Sequence, residues 1–256
     1  MFVDTHTHLY DDRLNDAKQD EMIRRALDAG IQKLYMPNCD QHTIPGMMRI
    51  AQTFPDHCLP MIGLHPTYVK TDYKAELDIV KTWLDKERFA AIGEIGLDYY
   101  WDKTFVAEQK DAFSQQIDWA LQYKLPIVIH SRESMADCIE LVRAKQNGAL
   151  RGIFHCFSGS MEEAQQIIDL GFLLGIGGVV TYKSNKVLQE VVQTLPLESF
   201  VLETDAPYLS PVPFRGKRNE SSYLTFIAEK IGELRNISIE EVGKATTANA
   251  AKLFAQ

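Results

Sequence analysis

Short apolar runs alternate with amphipathic segments along the whole chain. The runs read MFVDTH, IQKLYMP, CLPMIGLH, AAIGEIGLD, PIVIHS, GIFHCFS, FLLGIGG and FVLETD. Segments between them, such as QDEMIRRALDAG, AELDIVKTWLDK, EQKDAFSQQIDWALQYK and MADCIELVRAKQ, carry apolar residues at helical spacing. Eight strands alternating with helices predict parallel pairing. At this length we expect one domain over residues 1–256, an α/β fold of the (β/α)8 TIM barrel type.

An open, doubly wound sheet is the alternative arrangement of the same elements. Such sheets carry a GxGxxG loop after the first strand when they bind dinucleotides. No such loop follows MFVDTH. The sequence therefore gives no support to a dinucleotide site, and the barrel is the expected fold.

Six of the eight runs carry a histidine or a carboxylate near the carboxyl end. Barrel enzymes build their active sites at that face, so we expect these side chains to meet. Residues two apart in an extended chain point the same way, which lets two imidazoles face one metal ion. The predicted metal ligands are His6, His8, Glu94, His130, His155 and Asp205.

The number of these ligands bears on the kind of metal site. Four histidines and two carboxylates exceed the ligands of one tetrahedral zinc ion. Shared between two divalent ions, with Glu94 as the bridge, they fit a two-metal hydrolytic site. Imidazole-rich ligation favours zinc, manganese or iron over magnesium. The sequence does not name the ion, so zinc, magnesium and manganese all stay candidates. The alternative for Glu94 is a buried salt bridge.

The stretch VLETDAP holds two carboxylates, which an extended strand would place on one side. Asp205, at the predicted strand tip, is our candidate for both metal ligand and general base. Glu203 would lie one layer deeper. It could orient a ligand histidine or take part in the chemistry directly.

Further residues near the same face are candidates for substrate contact. His65 ends the run CLPMIGLH and could hydrogen-bond an anionic substrate oxygen or simply pack. Tyr99, Tyr100 and Trp101 follow the fourth run and could stack a nucleobase or pack the barrel rim.

The densest basic cluster follows the last strand, on the loop PYLSPVPFRGKRNE, and contains Arg215, Lys217 and Arg218. Arginine forks match phosphate geometry, and barrels often bind phosphate on their late loops. We therefore predict that this loop contacts substrate phosphate. The alternative is an ordinary solvated loop.

Composition narrows the partners and the compartment. The formal net charge of −8 argues against a broad basic surface for duplex DNA. No apolar run approaches the ~20 residues that cross a bilayer, and the amino terminus lacks signal-peptide features. Four cysteines without CxxC spacing are typical of reduced thiols. We expect a cytoplasmic monomer that does not bind membranes.

With these residues assembled, the chain resembles the TatD family of metal-dependent deoxyribonucleases, a group of amidohydrolase-like barrels. The shared stretches are DTHTHL, GLHP, AIGEIGLDYY, PIVIHSRE, FHCFSG, LETDAPYLSP, RGKRNE and TTANAAKLF. The resemblance implies a (β/α)8 barrel that hydrolyses DNA, commonly as a 3′-to-5′ exonuclease on single strands. It implies the same six metal ligands, and it implies that Glu203 is the family's active-site glutamate.

We therefore expect an enzyme that cleaves phosphodiester bonds of single-stranded DNA or 3′ ends through a water activated by two divalent metal ions. One alternative is an enzyme with the same metal site that hydrolyses a different bond. It would be a deacylase or amidohydrolase acting on an ester or amide such as D-aminoacyl-tRNA. Another is a non-catalytic scaffold stabilised by metal. Structural metal sites are typically closed, four-ligand and rich in cysteine, which disfavours the scaffold.

Overall fold

The structure is a computed structural model that describes residues 1–11 and 13–255. Its strands are β1 (Phe2–Asp4), β2 (Ile31–Pro37), β3 (Cys58–Met61), β4 (Ile92–Asp98), β5 (Ile127–Arg132), β6 (Gly152–Phe154), β7 (Leu173–Ile176) and β8 (Phe200–Leu202). Its α-helices are α1 (Asp16–Asp28), α2 (Ile44–Thr53), α3 (Tyr73–Lys86), α4 (Val106–Tyr123), α5 (Met135–Lys145), α6 (Met161–Asp169), α7 (Lys186–Thr194), α8 (Leu224–Arg235) and α9 (Ile239–Phe254). None of the helices in this described part of the chain is long and apolar enough to cross a membrane.

The strands follow one another around a ring in chain order. β1 to β3 form one parallel sheet, and β4 to β8 form a second. Single parallel bridges join the two sheets at both seams. Ile62 pairs with Ile92 between β3 and β4, and Thr7 pairs with Ala206 after β1 and β8. The predicted (β/α)8 barrel is confirmed.

Several strands are shorter than the apolar runs that predicted them. β2 matches IQKLYMP, whereas β6 ends at Phe154 and β8 ends at Leu202, well inside GIFHCFS and FVLETD. Soon after these ends, Cys156 and Asp205 adopt left-handed backbone conformations, with φ of 47° and 54°. A strand cannot continue through that conformation. The predicted strand tip at Asp205 is therefore wrong, although the strands and their order are right.

Two layers of apolar side chains hold the barrel together. The larger layer fills the space between strands and helices. The smaller takes a residue from nearly every strand and adds three from the end of α9. The ring of Phe254 stacks on Tyr35 at 3.8 Å, and the carbonyl of Leu253 accepts a hydrogen bond from Arg151, just before β6. The end of α9 thus covers the amino-terminal end of the barrel and leaves the carboxyl end open.

Candidate metal centre

Five histidine side chains converge on one buried carboxylate near the carboxyl end of the barrel. The carboxylate belongs to Glu94 in β4, which is only 2% exposed. The ring nitrogens nearest to its oxygens are Nδ1 of His130 (3.0 Å) and Nε2 of His155 (3.1 Å), His6 (3.2 Å), His65 (3.3 Å) and His8 (3.5 Å). The convergence that the sequence led us to expect is therefore present.

The charge of Glu94 is set by two opposing effects. Burial acts to raise its pKa, but the imidazoles of His65, His155 and His6 outweigh burial and lower the pKa well below its ordinary value. Glu94 is thus an anion at the centre of a ring of nitrogen donors.

Asp205 lies at the outer edge of this cluster. Its Oδ1 is 3.8 Å from Nε2 of His6 and 3.6 Å from Nε2 of His8, and the two nitrogens are 3.3 Å apart. The left-handed backbone at Asp205 is held by its N–H, which donates to the carbonyl of His6 at 2.9 Å. The predicted placement of both carboxylates on one side of a strand is therefore wrong. Asp205 turns towards His6 and His8 after β8 has ended.

Glu203 is fully buried beneath His155. Its Oε1 is 3.2 Å from Nδ1 of His155 and also accepts the backbone N–H of Cys156. Its Oε2 approaches Gly175 in β7 so closely that a Cβ at that position would overlap with it. Glycine at 175 therefore makes room for the carboxylate, and the deeper position predicted for Glu203 is the one observed.

Two carboxylates fix the protons of two cluster histidines. Because a carboxylate only accepts, Nδ1–H of His155 donates to Glu203, and the lone pair of the neutral ring is on Nε2. Asp98 Oδ2 lies 2.9 Å from Nε2 of His130, which leaves the lone pair of that ring on Nδ1. When these rings are neutral, as metal ligation requires, the remaining lone pair of each faces Glu94.

A tyrosine does the same for His8. The hydroxyl of Tyr10 donates to the carbonyl of Pro37, so it accepts from Nδ1 of His8 at 2.9 Å. The lone pair of His8 is then on Nε2, which faces Asp205. Three of the five imidazoles are thus held with a lone pair directed into the cluster, as metal ligation requires.

His65 differs from these three. The backbone N–H of Thr67 donates to its Nδ1 at 3.1 Å, so the lone pair lies there and the proton is on Nε2. Nε2 of His65 therefore points a hydrogen-bond donor at Glu94, 3.3 Å away. The ligand atoms of His65, Glu94 and His130 are close enough to share one metal ion. The proton on Nε2 nevertheless favours His65 as a hydrogen-bond donor rather than as a metal ligand.

Asp98 and Tyr10 are absent from the residues that sequence reasoning selected. Asp98 ends the run AAIGEIGLD, so its position carried a signal of the kind used for the other residues. β4 continues past Glu94 and ends at Asp98. Tyr10 has no comparable signal in the sequence.

The three basic residues of the late loop have different surroundings. Nη2 of Arg218 pairs with Asp11 at 2.8 Å, whereas the guanidinium of Arg215 lies over the ring of Tyr182 at 4.5 Å. Lys217 is exposed. None of the three contacts the histidine–carboxylate cluster within residues 1–11 and 13–255. Arg215 and Lys217 remain available to a ligand, while Arg218 would first have to leave Asp11.

The donor set fits divalent metal ions. His6, His8 and Asp205 form one group whose donor atoms lie within 4.8 Å of one another, and His6, His155 and Glu203 form another. Two buried atoms of the cluster, Nδ1 of His6 and Oε2 of Glu203, have no hydrogen-bond partner within the described part of the chain. Imidazoles and carboxylates packed this closely are the ligands that zinc and manganese take in proteins.

Comparison with known proteins identifies the class. Residues 3–255 match the family described as TatD related DNase, so the chain belongs to the TatD family. It is 39% identical over 254 residues to the uncharacterized metal-dependent hydrolase YabD of Bacillus subtilis (strain 168), covering 99% of both chains.

Solved structures agree with this assignment. The crystal structure of YjjV, a TatD homologue from Escherichia coli K12, superimposes with a TM-score of 0.92 at 28% identity and covers 100% of this chain and 98% of its own. A TatD family hydrolase from Entamoeba histolytica gives a TM-score of 0.84 at 25% identity, covering 99% and 98%.

Proposed function

We propose that the protein is a metal-dependent hydrolase that cleaves phosphodiester bonds of DNA, removing nucleotides from the 3′ ends of single strands. The observation that carries this proposal is the convergence of lone-pair nitrogens and carboxylates at the open end of the barrel. Membership of a family described as related to DNases supports the choice of bond. The naming of relatives as metal-dependent hydrolases supports the need for a metal.

The residues that would hold the metal are His6, His8, Glu94, His130, His155 and Asp205, and Glu94 would bridge two ions. Bound divalent ions would supply Lewis acidity towards a phosphoryl oxygen and a nucleophile at neutral pH. We propose zinc, manganese or magnesium as the ions.

Asp205 is best placed to accept the proton of the attacking water. Its side chain is 14% exposed, against 3% for Glu94 and none for Glu203, so it is the carboxylate that solvent and substrate can reach. A positioned base of this kind contributes roughly 10²- to 10⁴-fold in rate. Glu203 acts through His155, which it holds in the required tautomer.

Three further residues would bind the substrate phosphate. His65 presents the proton on Nε2 and can donate to an anionic oxygen. Arg215 and Lys217 are exposed on the loop after β8 and can approach the phosphates of a strand that enters the mouth. A single strand suits this recessed site better than a duplex, since the chain has no broad excess of positive charge.

The test is cleavage of single-stranded DNA labelled at either the 3′ or the 5′ end by metal-reconstituted protein. We expect immediate release of the 3′ label and a descending ladder from the 5′-labelled strand. Asp205→Asn, purified in parallel, should lose this activity and so exclude a contaminating nuclease. The proposal fails if fully metallated protein leaves DNA intact but hydrolyses a panel of esters or amides, including aminoacyl-tRNA. The monomeric state and cytoplasmic location stay predictions.

A further inference from the structure

Exposed apolar side chains of this protein are concentrated around the open end of the barrel. Among the described residues, eight large hydrophobic side chains are exposed, and six of them lie on loops that follow β3, β4 and β8. The six are Tyr68, Tyr100, Trp101, Tyr208, Leu209 and Val212. Apolar surface kept in water beside a functional site is a common mark of ligand contact.

The most exposed aromatic side chain of this set belongs to a compact group on the loop after β4. Trp101 is 68% exposed and Tyr100 is 50% exposed, and their ring centroids are 5.0 Å apart. The guanidinium of Arg132, at the end of β5, lies 3.9 Å from the Tyr100 ring and 5.4 Å from the Trp101 ring. We call these three residues the Arg132 face.

The Arg132 face is fixed to the metal centre through one carboxylate. Oδ1 of Asp98 accepts the backbone N–H groups of Tyr100 at 2.9 Å and of Trp101 at 3.0 Å. Oδ2 of the same carboxylate holds His130. Arg132 stands two residues beyond His130 on β5, about 6–7 Å further along an extended strand. The position of the face relative to the cluster is therefore set by the fold.

The three side chains of the Arg132 face contact one another and leave both aromatic rings largely exposed. In the described ranges no carboxylate forms an ion pair with Arg132, and the neighbouring Glu133 pairs with Lys103 at 3.8 Å. Tyr99 behaves differently, since it is half-buried and its hydroxyl donates to Asp137 at 2.7 Å. Tyr99 thus packs the barrel rim, while the next two aromatic residues face solvent.

We propose that the Arg132 face is a nucleobase-binding subsite, on which one base of the substrate strand stacks while a phosphodiester of the same strand lies at the metal centre. This inference rests on the proposed function and adds a second point of attachment for the strand. An exposed indole offers a π-face that every base can stack on, and a planar cation adds attraction to the base and to the nearby backbone. Such a subsite holds strands of any sequence.

A double-mutant cycle that combines a substitution in the protein with the removal of a base from the DNA tests this assignment. The binding of short single strands is measured by fluorescence anisotropy, with an abasic residue placed in turn at each position from the 3′ end. We expect one position at which loss of the base weakens binding by about 5- to 150-fold. Trp101→Ala should weaken binding of the intact strand by a similar factor and should be nearly insensitive to the abasic residue at that position.

Matched variants separate stacking from charge. Trp101→Tyr should restore most of the binding, because the flat ring is kept. Arg132→Lys should bind more weakly than wild type at equal charge, since the planar group is lost. Lys103→Gln removes a neighbouring positive charge and should leave the abasic profile unchanged.

Two results would overturn the subsite. One is a loss of binding free energy in Trp101→Ala that adds to the loss caused by the abasic residue at every position of the strand. The other is normal DNA binding by Trp101→Ala together with a change in its sedimentation, which would assign the face to protein association. Because binding is measured separately from cleavage, the two proposals can fail separately. If the effects of Trp101→Ala and of the abasic residue are coupled but DNA is not cleaved, the nuclease proposal is rejected and the subsite is kept. If DNA is cleaved but the two effects are not coupled, the subsite is rejected and the nuclease proposal is kept.

Discussion

His65 and His130 lie side by side, with ring centroids 4.4 Å apart, yet their protons are on different nitrogens. Asp98 accepts a hydrogen bond from Nε2–H of His130, whereas the backbone N–H of Thr67 donates to Nδ1 of His65. The partner of the outer nitrogen thus decides whether a ring offers a lone pair or a proton to the cluster. On this basis the two histidines should respond differently to removal.

Replacing His65 by alanine should leave the metal content intact and reduce turnover. The loss of one hydrogen bond to a charged oxygen corresponds to a decrease of roughly 10- to 150-fold in kcat/KM. His130→Ala is the matched comparison and should lower both the metal content, measured by mass spectrometry, and the turnover. A loss of bound metal in His65→Ala equal to that in His130→Ala would show that His65 is a ligand.

Gly175→Ala should disturb the centre through Glu203, although residue 175 has no chemistry of its own. The added Cβ would overlap with Oε2 of Glu203 and push the carboxylate away from His155. Disturbing a partner of this kind lowers metal affinity or activity by about 10- to 100-fold.

Gly177→Ala serves as the control, because residue 177 is extended and a Cβ there would make only ordinary contacts, with the backbone oxygen of Glu203 at 3.7 Å and its Cγ at 4.0 Å. Metal titrations of both variants provide the measurement. Equal defects in the two variants would contradict the role given to the close approach at residue 175.

The sequence was sufficient to select the residues of the cluster but not their partners. Histidines and carboxylates near the ends of apolar runs can be recognised in the sequence, and closure of the barrel brings them together. The contacts of Tyr10 with Pro37 and of Asp98 with His130 join residues 27 and 32 positions apart. Such pairings depend on the register of neighbouring strands, which no local pattern encodes.

At the scale of the element, hydrophobic periodicity located the strands better than it located their ends. An apolar run continues while its residues are buried, but a strand ends where its hydrogen-bonded ladder ends. In FVLETD these points differ, since β8 stops at Leu202 and residues 203–205 stay largely buried as an irregular segment. The left-handed backbone of Asp205 is imposed by tertiary contacts, and aspartate tolerates it better than most residues.

The end of α9 should contribute to stability and not to catalysis. Phe254 is 8% exposed and stacks on Tyr35 at the closed end of the barrel. Phe254→Ala should lower the free energy of unfolding by about 3–5 kcal/mol in urea denaturation while kcat of the folded protein stays unchanged. Lys252→Ala, an exposed position in the same helix turn, should have little effect on either quantity. A loss of kcat without a loss of stability would contradict this division.

At the scale of the whole molecule, the six proposed metal ligands come from five of the eight strand regions. Ions that bind the folded chain and not the unfolded chain stabilise it, by about 2.7 kcal/mol at a concentration of 100 Kd. For a chain of this size we expect calorimetry to show a rise in Tm of roughly 5–10 °C when metal is returned to chelator-treated protein. Glu94→Gln should show less than half of this rise. An undiminished rise in that variant would mean that the ions bind elsewhere.

The most direct test of the central claim is a joint titration of metal binding and DNA cleavage. Metal-stripped protein is dialysed against graded zinc or manganese, and bound ions per chain and the rate of release of a 3′ label are measured on the same samples. We predict no cleavage without metal and a rate that reaches its maximum as two ions bind, with both responses lost in Glu94→Gln. Full cleavage by stripped protein, or saturation with metal that brings no cleavage, would contradict the account.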